Sequence, residues 1–130
     1  MAKRDANQLT VTGNLGGDPE MRFTPSGKNV TTFSVACNDS YTNNAGEAVQ
    51  ETVWVRIESW GRLAEVCNEY LKKGRQVLVM GRLKPQRTYT REDGTKDKSG
   101  YEMRASEVHF IGSNGAQVAA EEEVGEQIQF

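Results

Sequence analysis

Histidine occurs once in this chain, at position 109, and cysteine twice, at Cys37 and Cys67. Structural zinc needs about four ligands, so no metal centre is expected, and two thiols make no disulfide framework. The lone histidine leaves no Ser, His and Asp set, and the carboxylates do not cluster with metal-ligand spacing. Asp18 and Glu20 flank Pro19 and read as turn residues. No cofactor motif occurs, so neither catalysis nor a cofactor is expected. Apolar residues make up only 36% of the chain, with no run near the about 20 residues that span a bilayer. Met1-Ala2-Lys3-Arg4-Asp5 lacks the apolar segment of a secretory signal and is not an Arg- and Ser-rich transit helix. A cytoplasmic address follows as the expectation, with no membrane partner. In a reducing compartment both thiols read as small buried apolar groups.

Charge of one sign is also missing overall. The formal net charge is −2, whereas a nucleic-acid-binding domain is usually basic. The distribution reverses that impression. Residues 1–115 hold all 16 Lys and Arg against 14 acids, a balance of +2, and residues 116–130 hold four Glu and no base. Residues 72–104 alone carry ten bases against four acids. A basic region is joined to an acidic tail.

The 130 residues fit one domain. Leu9 to Leu15 alternates apolar or Gly with polar residues, the period of a half-buried strand. Gly16-Gly17-Asp18-Pro19 and Pro25-Ser26-Gly27 are turn chemistry. A second strand is expected over about Asn29 to Cys37, an exposed loop or flexible hairpin over Asn38 to Gln50, and a third strand over Thr52 to Trp60. One helix follows Gly61, with Leu63, Val66, Cys67, Tyr70 and Leu71 as its apolar stripe. Lys72 and Lys73 are expected in its last turn and Gly74 just past its end. A fourth strand covers about Gln76 to Lys84. Asp93-Gly94 signals a two-residue hairpin, and a last strand runs from about Tyr101 to Ile111, with a bulge where the alternation slips between Ala105 and Val108. Five strands with one short helix between the third and fourth is the connectivity of an OB-fold, a five-stranded Greek-key barrel whose strand 2–3 face binds oligonucleotides or sugars. The fold class is therefore mainly β. The domain is expected over 1–111, and 112–130 as a flexible, disordered acidic tail with too little apolar surface to order itself.

The third strand is the most informative segment. Val53, Val55 and Ile57 point one way, followed by Ser59, and Trp54, Arg56, Glu58 and Trp60 point the other. A face with two opposite charges is not a barrel core, so the tryptophans look outward. Exposed indoles mark an interface. Aromatic rings offer stacking surface to any base while cations follow the phosphates, and each stacked base contributes roughly 1–3 kcal/mol. Burial of one indole in a subunit contact is the competing reading. A second cluster, Arg82 to Arg91, holds four cations and Tyr89 without an acid. It reads as an arm that tracks a strand, or else as a solvated basic loop. Arg22, Arg62 and Lys73 are further candidates.

These residues resemble the bacterial-type single-stranded DNA-binding protein family over about residues 7–111. The resemblance rests on Gly13-Asn14-Leu15-Gly16, Asp18-Pro19-Glu20-Met21-Arg22, Pro25-Ser26-Gly27, Thr52-Val53-Trp54-Val55-Arg56-Ile57, Trp60-Gly61-Arg62-Leu63-Ala64-Glu65-Val66, Tyr70-Leu71-Lys72-Lys73-Gly74 and Gly81-Arg82-Leu83, in one order. It implies an OB-fold homotetramer that wraps single-stranded DNA in replication, repair and recombination, in the cytoplasm at the nucleoid. It further implies bases stacked on Tyr41, Trp54, Trp60 and an aromatic nearest to Tyr89, and to these the residues themselves add the candidate cations Arg22, Arg56, Arg62, Lys73, Arg82, Lys84 and Arg87. Val55 stands where some relatives have His at the subunit contact. The family's tail commonly ends in Asp-Asp-Asp-Ile-Pro-Phe and recruits genome-maintenance proteins. Here Glu121, Glu122, Glu123 and Glu126 precede Ile128-Gln129-Phe130, which keeps the Ile and the Phe but not the Pro.

Overall fold

The fold was analysed in a computed structural model that describes residues 3–85, 88–90, 92–94, 96–98, 100–111 and 117–121, without the side chains of 88–90, 96–98 and 117–121. The elements in chain order are β1 (Leu9–Leu15), β2 (Glu20–Phe23), β3 (Asn29–Thr42), β4 (Ala48–Trp60), α1 (Gly61–Tyr70), β5 (Gln76–Lys84), β6 (Thr88–Thr90), β7 (Lys96–Lys98), β8 (Tyr101–Ile111) and β9 (Gln117–Glu121). The five long strands are joined in the order β1-β5-β8-β4-β3, and β1 pairs β3 as well, which closes the barrel. Within it β4 and β8 are parallel and the other pairings antiparallel. This is the expected OB-fold.

Alternation decides what fills the interior. Val11, Leu15, Phe33, Val35, Val55, Ile57, Val77, Val79, Met103, Ala105, Val108 and Phe110 are buried, and α1 adds Leu63, Val66 and Cys67. Buried polar groups on this side are satisfied. Thr31 Oγ1 donates to the Ala64 carbonyl at 2.6 Å, fastening the helix to β3, and Ser59 Oγ donates to the Thr31 carbonyl at 3.0 Å. Closure brings backbones close together: a Cβ on Gly13 would lie 2.2 Å from the Ala36 carbonyl oxygen, so no side chain fits there.

The bulge falls where the alternation slips. Met80 pairs Glu107 but Gly81 pairs Ala105, which leaves Ser106 as the extra residue, its hydroxyl donating to the Met80 carbonyl at 3.1 Å. Three local expectations change, and one alternative is decided. The helix ends at Tyr70 with Leu71 as its cap, so Lys72 and Lys73 follow it rather than occupying its last turn. Of the loop and the hairpin expected over 38–50 the hairpin forms: β3 and β4 pair out to Thr42–Ala48, around a turn in which Asn43 Oδ1 accepts the N–H groups of Ala45 and Glu47. Beyond the barrel Tyr41 and Val49 share a face with Asp39 and Glu51, so no clean hydrophobic period marks these strands. The β6–β7 hairpin forms, but its last described pair before the turn is Thr90–Lys96, so Asp93-Gly94 does not by itself join the paired strands. Val53 shares the inward parity of Val55 yet is 39% exposed, because β4 has left the barrel by that point. Beyond Ile111, residues 117–121 run antiparallel to β8, from Ile111–Gln117 to Glu107–Glu121.

Candidate nucleic-acid interface

The outer face of the barrel is built by the other parity of the same strands. Across β3 and β4 it carries Ala36 opposite Trp54, Ser34 opposite Arg56, Thr32 opposite Glu58 and Val30 opposite Trp60. Parallel pairing then sets Arg56 beside Glu102 and Glu58 beside Arg104 on β8, and β5 continues the two rows with Lys84 and Arg82. Arg22 on β2 lies opposite Val30, in the row that ends at Trp60. The face is an aromatic and charged lattice over an apolar core.

Trp54 is 50% exposed. Its ring lies over Gly16, whose missing Cβ would sit 2.5 Å from the ring, so the glycine of the β1–β2 connection makes room for the indole. A groove of about 450 Å³ opens there, lined by Trp54, Arg56, Thr32, Ser34 and the 16–20 turn. Asp18 Oδ1 accepts the Lys73 backbone N–H at 2.9 Å, which ties this turn to the chain leaving α1. Asp18 therefore has the structural use expected of it.

Trp60 is half-buried. Its indole N–H donates to Glu58 at 3.2 Å, and the Arg104 guanidinium lies over the ring, 5.9 Å from its centroid. That contact is within cation–π range. A hollow of about 660 Å³ beside the ring is rimmed by Lys28, Asn29, Ser26 and Arg104. Arg104 also lines the next hollow, with Arg4, Arg82, Asn7 and Gln8. A continuous line of cations thus leads from Trp60 over Arg104 to Arg82 and Arg4.

Two expected cations are tied to acids. Arg56 pairs with Glu102 at 3.0 Å, and Lys84 with Glu58 at 2.5 Å. Glu58 faces outward by parity but is only 5% exposed, so parity alone misjudged its environment. Arg62 is exposed in the first turn of α1, and Lys73 is exposed beyond its end. Tyr41 stands apart. It pairs Val49 on the protruding hairpin with the parity of Val35 rather than of Trp54, and its hydroxyl donates to Glu51 at 3.2 Å. Tyr89 lies in β6 with its side chain outside the described residues, as do Arg87 and Glu122 to Phe130, while Glu121 is described only as the last backbone position of β9. Arg4, Lys28 and Arg104 were missed. For Arg104 the signal was present, since it shares the parity of Glu102 against buried Met103 and Ala105.

Among the described residues, no group of three His, Cys, Asp or Glu could hold a metal, and no helix is long and apolar enough to cross a membrane.

Three comparisons bear on this face. The chain is 37% identical over 110 residues to single-stranded DNA-binding protein 1 of Chlorobaculum tepidum, a match covering 85% of this chain and 67% of the relative. Its structure resembles that of the Plasmodium falciparum SSB solved in complex with ssDNA, with a TM-score of 0.73 and 26% identity, covering 86% of this chain and 100% of that one. Residues 6–111 match the model of the single-strand binding protein family. The barrel, the two outward indoles and this match over most of its length together make the chain a member of the single-strand binding protein family.

Proposed function

We propose that the protein binds single-stranded DNA without regard to sequence, as a non-enzymatic coating protein of replication, repair and recombination. The observation that carries this reading is the outer face of β4. There Trp54 and Trp60, six positions apart on one side of a strand and so about 20 Å apart, bracket Arg56 and adjoin Arg104. Every base has a π-face, so two such platforms bind any sequence. Cations beyond them meet the phosphates. The named relatives support the same ligand.

Assembly as a homotetramer belongs to this proposal and is supported by the apolar side chains the single chain leaves open, Val53, Leu83 and Tyr101. So does work in the cytoplasm at the nucleoid. We assign the acidic stretch with Ile128 and Phe130 to the recruitment of replication and repair proteins, because an acidic–apolar segment suits a small pocket rimmed by Arg or Lys. Titrating the protein with oligo-dT at low salt tests the ligand: strong quenching of tryptophan emission is expected, and none would overturn the reading.

A further inference from the structure

A surface that follows phosphates has no evident use for carboxylates, yet two lie at the centre of this one. Glu58 and Glu102 are 5% and 3% exposed, and a carboxylate so buried requires a partner. Glu102 has Arg56, and Glu58 has Lys84 together with the Trp60 indole N–H. The cations are the more open members. Their side chains are 26% and 39% exposed, against 4% and 7% for the acids. Solvent therefore meets two positive groups, each with an anion beneath it. Neither pair adds net charge to the face. Both sit on neighbouring rows of one ladder, Arg56–Glu102–Lys84 and Glu58–Arg104–Arg82, so the neutralised cations lie beside the Arg104–Arg82 line.

We propose, on the basis of the single-stranded DNA reading, that Glu58 and Glu102 are positioning residues that hold Arg56 and Lys84 back from the phosphates. They set how many phosphates the face neutralises. A phosphate approaching either cation must compete with a carboxylate already in contact. Base stacking then supplies a larger share of affinity than the cation count suggests, and the salt dependence is shallow for so many bases.

The test is the salt dependence of oligo-dT binding in full-length protein. Glu58→Gln keeps a carbonyl oxygen to accept from Trp60 but removes the charge, releasing Lys84. The slope of log affinity against log salt should steepen by about 0.7, the value for one further single-strand phosphate contact. The gain in affinity over the parent should accordingly shrink about threefold between about 50 mM and about 200 mM salt. Adding Lys84→Met should return the slope to that of the parent. Should Glu58→Gln fail to fold, Glu102→Gln makes the same test on Arg56. Folded Glu58→Gln and Glu102→Gln proteins with parental slopes would overturn the proposal while leaving DNA binding itself in place. Absence of quenching by oligo-dT in the parent would instead remove the reading on which it rests.

Discussion

Replacing Gly16 with alanine puts a methyl carbon 2.5 Å from Cζ3 and 2.8 Å from Cη2 of Trp54. Contacts that short cannot persist, and the easier group to move is the half-exposed ring, not the backbone. The substitution should therefore displace the Trp54 platform and leave the barrel intact. Full loss of one stacked base is worth about 1–3 kcal/mol, which caps the effect at about 5- to 150-fold in affinity. Gly13→Ala supplies the contrast. Its methyl would meet the Ala36 carbonyl oxygen at 2.2 Å, where one strand backbone faces another. Overpacking of that kind costs about 1–3 kcal/mol of stability, or several degrees of melting temperature in a domain of this size. Gly17→Ala, with nothing within 4 Å of its Cβ, should change neither property. Thermal melts beside fluorescence titrations with oligo-dT, run in a Trp60→Phe background so that emission reports Trp54, separate the three. Parental affinity and quenching in Gly16→Ala would refute Trp54 as a platform. A melting loss equal to that of Gly13→Ala would make Gly16 a structural residue only.

Three further outcomes follow from the same geometry. Arg104→Ala should lower the salt slope by about 0.7, the value for one lost phosphate contact, and reduce quenching of Trp60; salt titration of a Trp54→Phe protein checks both. Burial pushes the Cys67 thiol up to about 12 from an ordinary 9.0, with a hydrogen bond involving Ser59 opposing the shift. The folded state then keeps its proton while the unfolded thiol ionises, so this contribution is whole below about pH 9 and is lost as pH rises towards 12. Melts across that range should show the decline, and iodoacetamide at pH 8 should modify Cys37, which is partly exposed, well before Cys67. Removing residues 122–130 should tighten DNA binding at low salt and leave it unchanged at high salt, since contacts of the acidic stretch with the basic face are screened over about 10 Å at 0.1 M; equal affinities at low salt would refute that competition.

Much of this was legible because the barrel has an inside. Leu9–Leu15, Thr52–Trp60 and the slip near Ser106 could be read from alternation, since one face of each strand meets the core and a residue on the wrong parity would be buried at a cost. The two outward tryptophans followed from the same rule. Legibility failed where the rule has no purchase. In the hairpin beyond Cys37 one face mixes Tyr41 and Val49 with Asp39 and Glu51, so loop and hairpin could not be told apart and the opposite parity of Tyr41 could not be seen. Glu58 was placed on the right face but in the wrong environment, because its burial beneath Lys84 depends on another strand. Arg4 reaches the interface only through β1–β5 closure, which no local pattern announces, and Lys28 follows a turn that was read but whose place beside Trp60 depends on the β3–β4 pairing.

The central claim is that Trp54 and Trp60 are the base platforms of this face. Affinity for oligo-dT in a Trp54→Ala, Trp60→Ala double variant, with folding checked by far-ultraviolet circular dichroism and melting, tests it most directly. Loss of both stacks should weaken binding by about 2–6 kcal/mol at roughly 1–3 kcal/mol for each base, with the salt slope nearly unchanged because the cations remain. A folded double variant that binds oligo-dT with parental affinity would contradict the account.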